Sequence, residues 1–287
     1  MTRDYRFAVS ACTTYHSTFE QDLRDYAAAG VDGIGLWESK LPAGQDGRSL
    51  DAFLESGLTA TFCFPEVPAA LPGDVLFAQP RDPEARIQRM CEGITRLAAF
   101  HPVAVACYAG PPGKMPVSDA RRWVVESLRR GGEAAGEAGT RLALEVLRPS
   151  PGGSLASSVA EALALIDESG SNNIDVFVDV WHAWSIDLFI DELTLYRDRI
   201  LGVQICDRPT QPRSWMDRKL PGEGDLPLVD ILRTLRRTGF DGWFELEIFS
   251  DDGTFGNDYP DSLWRRPPVE LLRDSLRDFD ALWEEAE

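Results

Sequence analysis

The sequence predicts an α/β fold, a single-domain (β/α)8 TIM barrel spanning residues 1–287, and three observations carry that expectation. Eight units of a short strand followed by a helical segment can be read in order along the chain. The strands are mostly continuous apolar runs, as expected where helices cover both faces of a parallel sheet. The turn after the first strand reads Cys12-Thr13-Thr14-Tyr15-His16 and has no glycine, which disfavours a doubly wound sheet with a Gly-rich phosphate turn.

The first unit pairs a strand over 7–11 with a helix over 18–29, for which Thr18 is a suitable cap. The second places a strand at 33–37 before a short helix at 49–56. The third runs from 59–64 through a Pro-rich loop into an amphipathic helix at 83–100. The fourth joins 103–108 to a long helix at 118–138 through the Gly-Pro loop at 110–113. Strands at 141–146, 175–180, 200–206 and 242–249 lead to helices at 155–168, 186–196, 228–238 and 269–285. The loops at 207–227 and 250–268 are long, and in a barrel such loops border the catalytic end. No linker-like shift of composition divides the chain. At 287 residues it is close to the ~250 typical of one barrel.

The composition excludes several classes of function. There are 29 Lys and Arg against 47 Asp and Glu, a formal charge of −18. That surface opposes a phosphate backbone or an anionic membrane, so neither nucleic acid nor membrane is an expected partner. Five scattered cysteines form no disulfide framework and point to a reducing compartment. With no apolar leader or transmembrane-length stretch, a cytoplasmic location is expected.

The chemistry is expected at the ends of the last four strands. Leu142-Ala143-Leu144-Glu145, Val176-Phe177-Val178-Asp179, Ile200-Leu201-Gly202-Val203-Gln204 and Phe244-Glu245-Leu246-Glu247 each end an apolar run on an oxygen ligand. Neighbouring strands lie about 4.8 Å apart, so Glu145, Asp179, Gln204 and Glu247 can meet at one ion. Three buried carboxylates and an amide call for a cation. The all-oxygen shell suits Mn²⁺ or Mg²⁺ better than Zn²⁺. Glu245, two residues before Glu247, shares its face of the strand and is expected either one layer deeper or as a support behind the ligands. Arg208, Arg213, Arg218 and Lys219 load positive charge onto the loop above. Arg208 and Arg213, nearest the strand end, are the chosen candidates for gripping substrate. Asp207 and Glu223 are expected as supports, Glu223 in the tight turn Pro221-Gly222-Glu223-Gly224. Trp37, Glu38 and Tyr108 follow the second and fourth strands and are candidates for contacting a sugar-like substrate. The segment 258–266 is placed either to close the site or to contact a neighbouring subunit of a homo-oligomer.

Several motifs together resemble the xylose-isomerase-like family of sugar isomerases and epimerases. They are Leu144-Glu145, Val178-Asp179-Val180-Trp181-His182, Val203-Gln204-Ile205-Cys206-Asp207, Gly239-Phe240-Asp241-Gly242-Trp243 and Leu246-Glu247-Ile248-Phe249, with Ala28-Ala29-Gly30-Val31-Asp32-Gly33-Ile34-Gly35-Leu36-Trp37 near the start. The resemblance implies a divalent ion on Glu145, Asp179, Gln204 and Glu247, with Gln204 where epimerases of the family usually carry His. It implies proton abstraction next to a carbonyl by Glu145 and Glu247 through a metal-bound enediolate, with His182 against substrate oxygen. A small polyhydroxylated carbonyl compound is the implied substrate, and an isomerase or epimerase the implied enzyme. Gln204 is shared with dehydroshikimate-dehydratase relatives, so a dehydratase (lyase) on dehydroshikimate- or inosose-like substrates is the alternative. A non-catalytic polyol-binding subunit is the second alternative. Only three histidines are present, too few for the multi-zinc centre of the family's endonucleases.

Overall fold

The computed structural model describes residues 3–73, 76–147, 154–185 and 188–287. Among these, nine parallel strands form one sheet: β1 (Arg6–Ser10), β2 (Gly33–Gly35), β3 (Thr59–Ala60), β4 (Phe62–Cys63), β5 (Ala104–Tyr108), β6 (Leu142–Val146), β7 (Ile174–Asp179), β8 (Ile200–Ile205) and β9 (Trp243–Leu246). The order around the sheet is β3-β2-β1-β9-β8-β7-β6-β5-β4. Its two ends, β3 and β4, are halves of one stave interrupted at Thr61. The Thr61 N–H donates to Ile34 O at 2.9 Å and its carbonyl accepts from Ala104 N at 3.2 Å. The ring therefore closes with eight staves, and the expected third strand is a broken one.

Helices α1 (Phe19–Ala29), α2 (Asp46–Ser56), α3 (Pro83–Ala98), α4 (Val117–Glu137), α5 (Val159–Ser169), α6 (Val180–Ala183), α7 (Phe189–Leu195), α8 (Leu228–Thr238) and α9 (Pro268–Glu285) surround the strands. Thr18 caps α1 in a reciprocal box with Gln21, as its position predicts. The fifth helix starts at Val159 rather than at 155, because the Ser158 hydroxyl accepts from Glu161 N at 3.1 Å and fixes the first turn there. The second helix starts three residues earlier than expected, at Asp46. After β7 the chain turns at once into α6, capped by Asp179, before α7. The expected helix start at Ile186 lies outside the described residues.

Two apolar layers hold the barrel. Outside the sheet, strand and helix side chains such as Val9, Ile34, Leu97, Leu144 and Phe279 pack together. Inside lie Ala8, Ala104, Ala106, Ala143, Phe62 and Phe177. The Phe62 and Phe177 rings stack with centroids 4.1 Å apart. They are fully buried, and truncating either to Ala is worth about 3–5 kcal/mol. Gly202 makes room for them, since a Cβ there would lie 2.2 Å from the Phe62 ring. This plug fills the barrel below the C-terminal strand ends, so polar chemistry is confined to the layer above it.

Candidate active site

Strand alternation puts the polar layer on the same inward face as the plug. Ala143 leads to Glu145, Phe177 to Asp179, Gly202 to Gln204, and Trp243 through Glu245 to Glu247. The register aligns Asp179 with Gln204 and Gln204 with Glu245. Glu247, just beyond β9, continues the pairing by donating its N–H to Ile205 O at 3.1 Å. Glu145, Asp179, Gln204 and Glu247 are all buried, and the structure brings these four predicted positions together.

Their contacts are asymmetric. Gln204 Nε2 donates to Glu247 Oε1 at 3.0 Å and to Glu245 Oε1 at 3.2 Å. Glu247 Oε1 also accepts from Ser10 Oγ at 3.3 Å, and Ser10 in turn accepts from Trp37 Nε1 at 3.2 Å. Arg218, fully buried, places Nη1 3.0 Å from Asp179 Oδ2 and 3.2 Å from Glu247 Oε2. Its guanidinium lies 5.0 Å from the Phe249 ring centroid and 5.3 Å from that of Trp181. Asp179 Oδ1 is occupied by Trp181 N at 2.8 Å. Asp179 Oδ2 faces Arg218 as an ion pair but has no aligned hydrogen bond, and Gln204 Oε1 is buried with no partner. His182 Nε2 lies 3.6 Å from Asp179 Oδ2. One ligand atom each of Glu145, Asp179 and His182 falls within 4.8 Å of the others.

Burial dominates the electrostatics. It raises the Glu145 carboxyl well above the usual range, reinforced by Glu247 and Asp179. Burial also raises Glu247, against the opposing pull of Arg218. Glu245 is pushed up to about 8 by burial, despite hydrogen bonds from Thr61 and Gln204. Of these buried acids, Asp179 and Glu247 pair with the Arg218 guanidinium, while Glu145 and Glu245 make no ion pair with it. Gln204 Oε1 is left without a hydrogen bond where cost would normally forbid it, and Asp179 Oδ2 has the ion pair with Arg218 but no aligned hydrogen bond. Such a donor set fits a hard divalent cation.

The remaining expected residues divide. Trp37 forms part of the wall beside Ser10 and borders an open cleft of about 610 Å³ whose lining includes Tyr15, Val67, Leu76, Phe77 and Arg89. Tyr108 aligns with Glu145 across β5 and β6, and its ring lies 6.2 Å from Phe77. Glu38 turns instead toward α3, accepting from Glu66 N at 2.7 Å and pairing with Arg96 at 3.4 Å. Arg208 bonds the carbonyls of Pro209 and Thr210 and stacks 4.8 Å from the Trp184 centroid. Arg213 is engaged by Asp217 and Asp261. Glu223 is exposed in its turn.

The cation in the cage is therefore Arg218, not Arg208 or Arg213. Its placement comes from an antiparallel bridge in which Asp207 and Lys219 exchange backbone hydrogen bonds at 2.9 and 2.8 Å. The buried Asp207 carboxylate accepts from the N–H groups of Arg208, Gly222, Gly224 and Leu226, at 2.8–3.0 Å, and so ties the loop down. Ser10 was not among the expected residues, although its place two positions after the inward-facing Ala8 on β1 carries the signal. Arg218 was not separable by sequence from its neighbouring cations.

A parallel eight-stave barrel with converging acids above a filled core is the architecture of enzymes that work at the C-terminal strand ends. The chain belongs to the xylose isomerase-like TIM barrel family, whose model matches residues 23–280. It is 28% identical to a D-psicose 3-epimerase of Enterocloster bolteae over 158 residues, 54% of this chain and 49% of that one. It is 27% identical to a 3-dehydroshikimate dehydratase of Pseudomonas putida over 134 residues, 45% of this chain and 21% of that one. The alignments thus span half or less of each relative. A solved structure described as IolI protein with a binding zinc atom superposes with a TM-score of 0.78 at 18% identity, covering 98% of this chain and 99% of that one. No described helix is long and apolar enough to cross a membrane.

Proposed function

We propose that the protein is a divalent-metal-dependent isomerase or epimerase of a small polyhydroxylated carbonyl compound, acting by proton abstraction next to the carbonyl. The observation that carries this reading is the buried, unpartnered Gln204 Oε1 set among the buried carboxyls of Glu145, Asp179 and Glu247. Glu145, Asp179, Gln204 and Glu247 would hold the ion, with Mn²⁺ or Mg²⁺ favoured by the oxygen donors. A bound ion would supply Lewis-acid polarisation of the substrate carbonyl.

The chain's own groups supply the rest. Glu145 and Glu247 come from staves separated by β7 and β8, so they can address opposite faces of a carbon held between them. Burial makes both carboxyls easier to protonate than ordinary glutamates, which suits them to returning a proton as well as taking one. Arg218 balances charge that develops on substrate oxygen and holds Glu247 in place. His182, beside Asp179, is positioned to hydrogen-bond a substrate hydroxyl. Trp37 borders the cleft that would admit a small molecule, and Tyr108 lies behind its Phe77 wall.

A dehydratase is the second reading, favoured by the similarity to the Pseudomonas putida dehydratase and by Gln204. The same proton abstraction then ends in loss of a β-hydroxyl. Chelator-stripped protein resupplied with Mn²⁺, Mg²⁺ or Zn²⁺ tests both readings. Elemental analysis is expected to find one ion per chain, and ketoses such as psicose are expected to yield an epimer. An enone-absorbing product would favour the dehydratase. No uptake of any of the three ions would contradict the proposal.

A further inference from the structure

We propose that Glu245 is a positioning residue that fixes the orientation of the Gln204 amide, and so decides which atom of Gln204 faces the metal; the inference rests on the metal reading above. Gln204 has two N–H bonds on Nε2, and both are used on the β9 side. One goes to Glu247 Oε1 at 3.0 Å and the other to Glu245 Oε1 at 3.2 Å. The planar amide then keeps Oε1 on its opposite edge, where it is buried and unpartnered. The flipped amide would set its oxygen against two acidic side chains and turn its N–H groups toward the ion. One acceptor on Glu247 alone leaves the second N–H unfixed, so the second acceptor completes the constraint.

Glu245 is itself immobilised. Its Oε2 accepts from Thr61 Oγ1 at 2.5 Å, at the break between β3 and β4. Its carboxyl packs against Gly35, where a Cβ would lie 2.6 Å from Oε2 and 2.9 Å from Oε1. The residue is fully buried and directly beside Gln204 in the sheet register. An acid under an amide, clamped by a hydroxyl and a glycine, is thus built into the barrel beneath the cage. It makes an amide act as a hard oxygen donor.

The test is Mn²⁺ affinity, read from the free-ion EPR signal during titration of apoprotein, with thermal melts of the same samples. Glu245→Met keeps the length but removes the acceptor, and is expected to weaken Mn²⁺ binding 10–100-fold. Glu245→Gln keeps an acceptor for Gln204 but cannot ionise, and is expected to stay within about threefold of wild type, against that 10–100-fold loss. Thr61→Val, which removes the hydroxyl donor and leaves only the 3.5 Å bond from Phe62 N on the far oxygen, should shift affinity in the same direction as Glu245→Met. Unchanged affinity in both Glu245→Met and Thr61→Val would overturn the inference. A Glu245→Gln affinity as weak as that of Glu245→Met would also overturn it, because charge and not orientation would then be at work. Wild type that binds no Mn²⁺ would overturn the metal reading itself, an outcome distinct from these.

Discussion

Arg218 shows how one side chain can hold a buried acidic site together. Its Nη1 stands between Asp179 and Glu247, and no other described Lys or Arg forms an ion pair with either. Removing one member of a buried ionic cluster costs about 3–5 kcal/mol, because the remaining charges lose their partner without returning to water. Arg218→Met is therefore expected to lower stability by about that much in chelator, as measured by denaturant melts. Under the proposed metal reading, added Mn²⁺ should recover more stability in this variant than in wild type, since a bound ion would supply the missing positive charge. Equal melts of the two proteins in chelator would show that Arg218 is not what balances the cage.

Strands were the most legible elements and loops the least. The inward periodicity of Phe177-Asp179 or Glu245-Glu247 is local, so the residues that converge at the strand ends could be named from sequence. The break at Thr61 could not, and neither could the non-local contact of its hydroxyl with Glu245 across the barrel. Arg208, Arg213 and Arg218 are chemically alike within one loop. Only the non-local bridge between Asp207 and Lys219 decides which is buried. Glu38 follows a strand as a site residue should, yet the 3-10 turn there sends it to Arg96 on α3. The Asp207 carboxylate makes a prediction for the loop. Asp207→Ala leaves four backbone N–H groups without their acceptor. Limited trypsin digestion should then cut the 208–219 stretch at least several-fold faster than in wild type, with the barrel core intact. Unchanged cleavage would mean the loop is held by other contacts.

At the scale of the whole molecule, pH sensitivity should follow from a buried acid outside the cage. Asp22 pairs with Lys40 at 2.7 Å and accepts from Thr14 at 2.6 Å, but burial outweighs both and pushes its carboxyl up to about 6. A carboxyl whose folded pKa exceeds its unfolded value binds more protons when folded. Stability from this group is thus present below about pH 4 and declines as pH rises toward 6. Two pKa units correspond to about 3 kcal/mol. Urea melts from pH 4 to 7 should show that decline in wild type relative to Asp22→Asn, which lacks the titration. A difference that does not change with pH would contradict this assignment.

The central claim is that buried glutamates and a divalent ion together activate a carbon next to a carbonyl. Solvent deuterium incorporation into a ketose, followed by proton NMR with and without Mn²⁺, tests it most directly. The account predicts exchange at the carbon beside the carbonyl with Mn²⁺ present. It also predicts loss of that exchange on chelation, and a reduction of about 10²–10⁴-fold in Glu145→Gln and Glu247→Gln separately. Exchange that survives chelation, or that is undiminished in both variants, would contradict it.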